Sequence, residues 1–150
     1  MTNPSRAIDT AAVSPGAEEE ANLALVRLYL AAVADPTVSW SELATLLDPE
    51  VEQHELPNAL VPQGICRKLG ALQTAHARGA QAMTDQRYEI KSMMVEGNRV
   101  AVEIDWSGTL RAPFGKLVPG DVMRAHIAAF IEVRAGRIAA QRNYDCYEPW

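Results

Sequence analysis

The sequence predicts a small α+β domain in which helices of the first half pack on a curved antiparallel sheet formed by the second half. Two observations support this fold class. Before about residue 83, apolar residues recur at helical spacing, whereas from Tyr88 onward apolar and polar residues alternate as they do in strands. The later segments are joined by short glycine-containing turns, such as residues 96–98 and 134–136, which are typical of hairpins between antiparallel neighbours.

The N-terminal part divides into a tail and a first helix. Residues 1–17 combine Ser, Thr, Ala and Pro without periodicity, so we expect a flexible tail ahead of a domain at residues 18–150. The first helix is predicted from Ala17 to about Ala34. Leucines and valines recur there at helical spacing behind three glutamates, which suit the positive end of a helix dipole.

A shorter helix and a short strand follow. The helix is predicted from a Ser39 cap through Leu47, and Asp48-Pro49 is expected to end it. Residues 51–57 are predicted to form a short strand that is rich in polar side chains. Residues 58–64 contain too many turn formers to be regular.

The third helix and the sheet complete the chain. The helix is predicted from Cys66 to about Met83, although Gly70 and Gly79 weaken it. Four strands follow, at Tyr88 to Val95, Arg99 to Leu110, Val122 to Val133 and Arg137 to Tyr147. Strands of this length twist, and helices laid on one face of such a sheet leave a cone with an open end.

Composition restricts the classes of partner. A chain of 150 residues suits one domain, which buries about 70% of the surface that its unfolded form exposes. The formal charge is −5, and the 14 Lys and Arg form no run, so we expect neither nucleic acid nor a membrane surface as a partner. No apolar run is long enough to span a bilayer. We therefore expect a cytoplasmic protein that binds small molecules or proteins.

Cysteine usage argues in the same direction. Cys66 and Cys146 lie far apart, without the spacing of a zinc site or the clustering of a disulfide framework. We expect reduced thiols and no metal.

The second half contains several short motifs, at Trp106 to Thr109, Pro119 to Asp121, Arg137-Ile138 and Gln141 to Asp145. Together these motifs resemble the SnoaL-like branch of the nuclear-transport-factor-2-like (NTF2-like) superfamily. The resemblance covers most of residues 18–150 and implies an NTF2-like cone, with N-terminal helices packed on the sheet around a pocket. Its relatives include polyketide cyclases, ketosteroid isomerases, limonene epoxide hydrolases and dehydratases. Fold alone does not select among these activities.

The last strand carries the first candidate residues. Gln141, Asn143 and Asp145 share one face, because side chains alternate along a strand. This polar face is either solvated or the floor of the pocket. The resemblance implies that an acidic residue near this point takes part in catalysis, as in cyclases and epoxide hydrolases. Alignment on the cyclase spacing puts that acid at Asp145, whereas alignment on the hydrolases' Arg-x-Tyr pattern puts Asn143 in its place, and an amide cannot take a proton as a carboxylate does.

A second carboxylate pair lies on the strand that begins at Arg99. Glu103 and Asp105 share one face, and Trp106 lies on the other, so a pocket-facing Asp105 requires an outward Trp106. Relatives commonly form dimers through the outer sheet face. If His126 points inward, the outer face of this protein would present Trp106 together with Ile127, Ala129 and Ile131.

Two histidines are candidates for proton transfer. His126 lies in a mostly apolar strand and shares a face with Phe130, so it is either a hydrogen-bonded core residue or a proton shuttle. His54 lies on the short early strand, where alternation places Glu52 on its face and Glu55 on the other. These three residues form either a surface cluster or an acid/base site at the pocket mouth.

The leading functional prediction is a cyclase or isomerase that acts on a hydrophobic small molecule by general acid/base catalysis, without metal or organic cofactor. A non-catalytic ligand-binding or association module and an epoxide hydrolase-like enzyme are the alternatives. We also predict a homodimer. The predicted proton-transfer residues are His54, His126 and Asp145, and the predicted substrate-binding residues are Glu52, Glu55, Asp105, Phe130 and Asn143.

Overall fold

The computed structural model describes residues 16–150. The predicted tail therefore lies, except for its last two residues, outside the described part of the chain. Those two residues belong to the first helix: Gly16 caps its N-terminus and Ala17 is its first residue.

Three helices and six strands make up the described chain. The helices are α1 (Ala17–Ala34), α2 (Trp40–Ala44) and α3 (Leu69–Ala82). The strands are β1 (Leu47–Glu55), β2 (Ile65–Arg67), β3 (Met83–Glu96), β4 (Arg99–Leu110), β5 (Val122–Arg134) and β6 (Arg137–Tyr147). No helix within residues 16–150 combines the length and the apolar character needed to cross a membrane.

All six strands form one open sheet in the order β2-β1-β6-β5-β4-β3. The meander from β3 to β6 is antiparallel, as predicted. The pairing of β1 with β6 is parallel, so the sheet is mixed. Parallel neighbours need a crossover connection, and β2, α3 and the meander lie along the chain between these two strands.

The predicted boundaries are wrong at three places, each with a tertiary cause. The second helix ends at Ala44 and Asp48-Pro49 lies within β1, where a shift of the β1–β6 register accommodates a proline that has no N–H to donate. Cys66 belongs to β2, which is too short to show a periodicity and forms only by pairing with β1. Strand β3 begins at Met83, before its predicted start, because a bulge with Asp85 at φ 51° hides its alternation.

Helix packing decides which face of the sheet is buried. Helix α1 lies on β3 and β4 and covers their apolar side. On β4 the buried side chains include Val100, Val102, Ile104 and Trp106, and on β5 they include Ile127, Ala129 and Ile131. The predicted outward position of Trp106 is therefore wrong, and so is the predicted outer patch of Trp106, Ile127, Ala129 and Ile131, because these residues pack under the helices.

Two polar contacts hold α1 to the sheet. Asn22 is buried, and its Nδ2 donates to the carbonyl oxygen of Gly97 at 3.0 Å. The Glu19 carboxylate accepts from the backbone N–H of Gly97 at 2.7 Å. Helix α1 is thus joined to the β3–β4 turn in a defined register, and buried polar groups that are paired in this way favour one arrangement over others.

Gly64 provides a test of the connection that carries β2 to the sheet edge. It has φ +68°, and a Cβ atom at this position would lie 2.9 Å from the backbone oxygen of Glu55. We expect Gly64→Ala to lower the free energy of unfolding by about 2 kcal/mol, because it combines a left-handed backbone with a clash. Gly79→Ala is the control, since its Cβ meets open space in α3 and should raise stability by up to about 1 kcal/mol. Urea unfolding measures both, and equal effects of the two changes would contradict this account.

Candidate ligand-binding and active site

A cavity of about 480 Å³ lies between α3 and the inner face of the sheet. Its apolar side chains include Leu60, Met83, Leu110, Phe114, Met123 and Ile127. Several of its polar side chains gather where β1 meets β6, whereas Arg78 lies on α3 and Gln86 and Tyr88 lie on β3. A mostly apolar chamber with a few convergent polar groups is the usual form of a small-molecule site.

The parallel pairing of β1 and β6 assembles this polar end. In that register Glu55 lies opposite Asn143, and Leu56 N donates to the Asn143 carbonyl oxygen at 2.9 Å. Asp145 lies two residues further along β6 and therefore on the same face. All three acidic or amide side chains line the cavity.

Glu55 is held by two donors. Arg67 Nη1 donates to its Oε2 at 2.6 Å, and Asn58 Nδ2 donates to its Oε1 at 3.0 Å. The side chains of Glu55 and Arg67 are only 13% and 16% exposed. Charge-assisted hydrogen bonds of this kind are stronger than those between neutral groups. They hold the Glu55 carboxylate in a defined position near Asp145.

Asp145 has no such partners. Its Oδ1 is buried without a hydrogen-bond partner in the described chain. Burial first, and then the negative charge of Glu55, raise the pKa of the Asp145 carboxyl to about 6, while the positive charge of Arg67 opposes the rise. This carboxyl consequently changes its protonation near neutral pH, where proton transfer in both directions is efficient.

Aromatic side chains enclose the region around Asp145. Tyr147 packs edge to face against Trp106, with ring centroids 6.0 Å apart, and Trp106 Nε1 donates to Gln86 Oε1 at 3.3 Å. Burial raises the pKa of the hydroxyl of Tyr88, and burial also raises that of Tyr147. Both phenols therefore stay protonated and are available as hydrogen-bond donors.

The structure brings three of the predicted site residues together. Asp145, Asn143 and Glu55 lie in the cavity. The residues that precede and follow them along β1 and β6 point to the other side of the sheet.

The other five predicted site residues lie on the outer face, away from this cavity, so their expected inward orientation is wrong. Glu52 and His54 are exposed because Val51, Gln53 and Glu55 take the inner positions of β1. Asp105, His126 and Phe130 are outward because the apolar residues between them fill the core. The outward positions are those of Glu52, His54, Asp105, His126 and Phe130.

His126 and Asp105 do contact each other on that outer face. His126 Nδ1 and Asp105 Oδ1 lie 2.7 Å apart, and the His126 side chain is 66% exposed. The hydrogen bond from His126 lowers the pKa of Asp105, as does the charge of Lys91. This pair is a solvated surface contact, which contributes little to stability.

Sequence reasoning missed Arg67, Tyr88, Trp106 and Tyr147. Tyr147 continues the alternation of Asn143 and Asp145 along β6, so one further step of the same pattern would have found it. Arg67 belongs to a three-residue strand with no sequence signal of its own. Only the folded chain shows that it meets Glu55.

The described residues offer no evident metal site and no disulfide. Within residues 16–150 no three His, Cys, Asp or Glu side chains are grouped as metal ligands. Cys66 and Cys146 are exposed free thiols.

The raised pKa of Asp145 makes a prediction about stability. The folded protein holds this proton more tightly than the unfolded chain, so the free energy of unfolding falls as pH rises from about 4 to about 6 and then levels off. Asp145→Asn removes this loss. We expect the variant to exceed the wild type by about 2 kcal/mol at pH 8, with the difference shrinking toward pH 4. Urea unfolding at several pH values measures the difference, and a difference that does not vary with pH would contradict the assignment.

Comparison with solved structures shows the same architecture in several proteins. AclR, a candidate hydroxylase from Streptomyces galilaeus, is 20% identical, with 87% of this chain and 82% of AclR covered and a TM-score of 0.70. A SnoaL-like polyketide cyclase from Agrobacterium tumefaciens is 18% identical, with 83% and 90% covered and a TM-score of 0.63. An LEH-like epoxide hydrolase from M. tuberculosis is 17% identical, with 85% and 84% covered and a TM-score of 0.66. At these identities the likeness concerns the fold alone.

Sequence comparison identifies the family. No curated protein matches the chain. The family model of the SnoaL-like domain matches residues 26–141, from the middle of α1 to β6, and this span includes Glu55 and Arg67. The helices on a curved, open sheet of six strands are those of NTF2-like proteins. The chain therefore belongs to the SnoaL-like domain family.

Proposed function

We propose that this protein is a cyclase or isomerase that acts on a hydrophobic small molecule by general acid/base catalysis, with Asp145 as the group that transfers the proton. One observation carries the proposal: Asp145 presents a buried, unpaired carboxylate oxygen at a mostly apolar cavity and titrates near pH 6. A buried polar atom without a partner costs free energy, and a ligand that supplies the partner explains why it is kept.

The chemistry follows from the surroundings of the carboxylate. An ionised Asp145 accepts a proton from an acidic C–H group of the bound substrate, and the protonated form returns it to another atom of the same molecule. A base with a pKa near the working pH serves both steps. The carboxylate itself moves the proton, so the proposed step uses no metal or organic cofactor.

Asn143 and the Tyr88 and Tyr147 hydroxyls are proposed to orient the substrate, since each offers an N–H or O–H donor at the cavity. Glu55 and Arg67 have a different proposed role. Their ion pair sets the local charge at Asp145. His54 and His126 are not part of this proposal, because both project from the outer face of the sheet.

An epoxide hydrolase activity is not proposed. The fold resemblance to the M. tuberculosis enzyme does not extend to function at 17% identity. Asn143 is an amide where the alignment with epoxide hydrolases expects an aspartate, and an amide does not activate water by taking its proton.

Turnover of a panel of aromatic polyketides, enones and epoxides tests the proposal. We expect kcat/KM for the accepted compound to rise with pH through about 6 and then level off, because the carboxylate form acts as the base. Asp145→Asn should lower kcat by about 100-fold or more while ligand affinity stays within a few-fold. Asp105→Asn is the matched control: the same substitution on the outer face should leave turnover unchanged.

Two outcomes would reject the catalytic proposal. The first is a panel that the wild-type protein leaves entirely unchanged. The second is equal loss of turnover in Asp145→Asn and Asp105→Asn. Binding without turnover would instead favour a non-catalytic ligand-binding module.

We also propose a homodimer formed through an outer-face patch, which we define as Met94, Ala101, Ala128, Phe130 and Tyr144. Met94 is 69% exposed, and Phe130 and Tyr144 pack edge to face with ring centroids 5.9 Å apart. Arg142 and Glu132 at its border pair with each other within the chain at 4.0 Å, so their charges do not oppose a two-fold contact between identical surfaces. An exposed apolar patch of this kind favours association.

Light scattering at micromolar concentration tests the homodimer. We expect a dimer for the wild type and a monomer for Phe130→Glu, because the new charge would lie in the centre of an apolar contact. Leu28→Glu is the control, since Leu28 is an exposed apolar residue, 57% accessible, on α1 and away from the patch. A monomeric wild type would refute the homodimer.

A cytoplasmic location completes the proposal. The exposed, unpaired thiols of Cys66 and Cys146 support it, because reducing compartments keep such thiols free.

A further inference from the structure

Gln141 is a buried amide beside the proposed proton-transfer site, and none of the roles assigned above uses it. It is 6% exposed on the inner face of β6, between Gln53 of β1 and Ile131 of β5 in the sheet register. Its Nε2 donates to Asn143 Oδ1 at 2.7 Å. A buried polar side chain that contacts a cavity residue in this way has a defined effect on that residue.

That effect is to set the direction of the Asn143 amide. A side-chain amide has an acceptor at one end and donors at the other. Because Oδ1 accepts from Gln141, the Nδ2 end faces the opposite way. Within residues 16–150 this Nδ2 donates to no protein acceptor, and Asn143 lines the cavity. The cavity is thus offered an N–H donor rather than a carbonyl oxygen.

We propose that Gln141 is a positioning residue that holds the Asn143 N–H donors toward the cavity, where they bind a ketone or enone oxygen while Asp145 faces the adjacent C–H group. This inference rests on the proposed function and names the substrate class for the same site. The two roles fit together because Asn143 and Asp145 are two residues apart on β6 and therefore lie next to each other on the same face.

The proposed step balances without a further reactant. The C–H bond next to the carbonyl breaks, and its proton moves to the Asp145 carboxylate. The electron pair moves toward the carbonyl oxygen, where negative charge develops. Donors already directed at that oxygen stabilise the charge more than donors that must first rotate. The proton then leaves Asp145 for a carbon of the same molecule.

A pair of ligands of the same shape isolates the donor. 2-Acetylnaphthalene carries a carbonyl oxygen that only accepts, and 2-isopropenylnaphthalene replaces that oxygen with a CH₂ group. For each variant, the ratio of the two dissociation constants is divided by the same ratio for the wild type at the same pH. This quotient reports the hydrogen bond and cancels the difference in solvation between the two ligands. Fluorescence titration of the 150-residue protein measures each dissociation constant.

Gln141→Glu is the decisive variant. At pH 8 an ionised Glu at this position accepts only, so the Asn143 amide rotates to donate to it and turns its own oxygen toward the cavity. We expect the preference for the ketone to fall about five- to tenfold. At a pH low enough to protonate the new carboxyl, it donates again and the wild-type preference should return. A purely structural role of Gln141 would not produce this reversal.

Two further variants complete the test. Asn143→Leu removes the donor at nearly constant volume and should abolish the ketone preference at every pH. Gln141→Met keeps the length of the side chain but frees the amide to rotate, so an intermediate loss is expected. An unchanged preference in Gln141→Glu at pH 8, or no binding of the ketone by the wild type, would overturn the proposal.

The outcome is separable from that of the proposed function. These titrations measure binding alone, and Asp145→Asn measures turnover. A ketone preference that depends on Gln141 in a protein without turnover would reject only the catalytic proposal. Turnover that depends on Asp145, with a ketone preference insensitive to Gln141, would reject only the positioning role.

Discussion

The parallel pairing of β1 with β6 is the interaction on which the rest of the site depends. It places Glu55, from the first half of the chain, opposite Asn143 of the last strand. Parallel strands cannot be joined by a tight turn. The crossover that follows β1 carries β2 and α3, and these elements supply Arg67 and the helical side of the cavity. One pairing therefore determines both the polar groups and the enclosure around them.

The site combines a satisfied carboxylate with an unsatisfied one. Glu55 accepts hydrogen bonds from Arg67 and Asn58, whereas Asp145 Oδ1 has no partner in the described chain. The cost of burying the second group appears as a pKa near 6. Stability lost at a group of this kind is characteristic of functional sites, where the group is kept for its reactivity rather than for folding. A satisfied Asp145 would be more stable and less able to exchange a proton at neutral pH.

Much of the fold was predictable because its signals are local. The bounds of β4 and β6 and the extent of α1 follow from periodicity and turn residues, which neighbouring residues alone determine. The start of β3, the strand β2 and the place of Asp48-Pro49 in β1 were not predictable. Each depends on a strand partner distant in sequence, and a bulge or a three-residue length removes the local pattern.

The sequence alone determined the alternation along each strand, because neighbouring side chains of a strand point to opposite sides. It thereby determined that Asn143 lies with Asp145 and that Asp105 and Trp106 lie on opposite faces. Which side is the inner one was decided only by the tertiary structure. Helix α1 packs on the apolar face of the sheet that carries Trp106, so Asp105 and His126 face outward. On β6 the same geometry turns the polar face inward, because the cavity leaves room there. Burial, and with it the raised pKa of Asp145, is a property of that packing and of no local pattern.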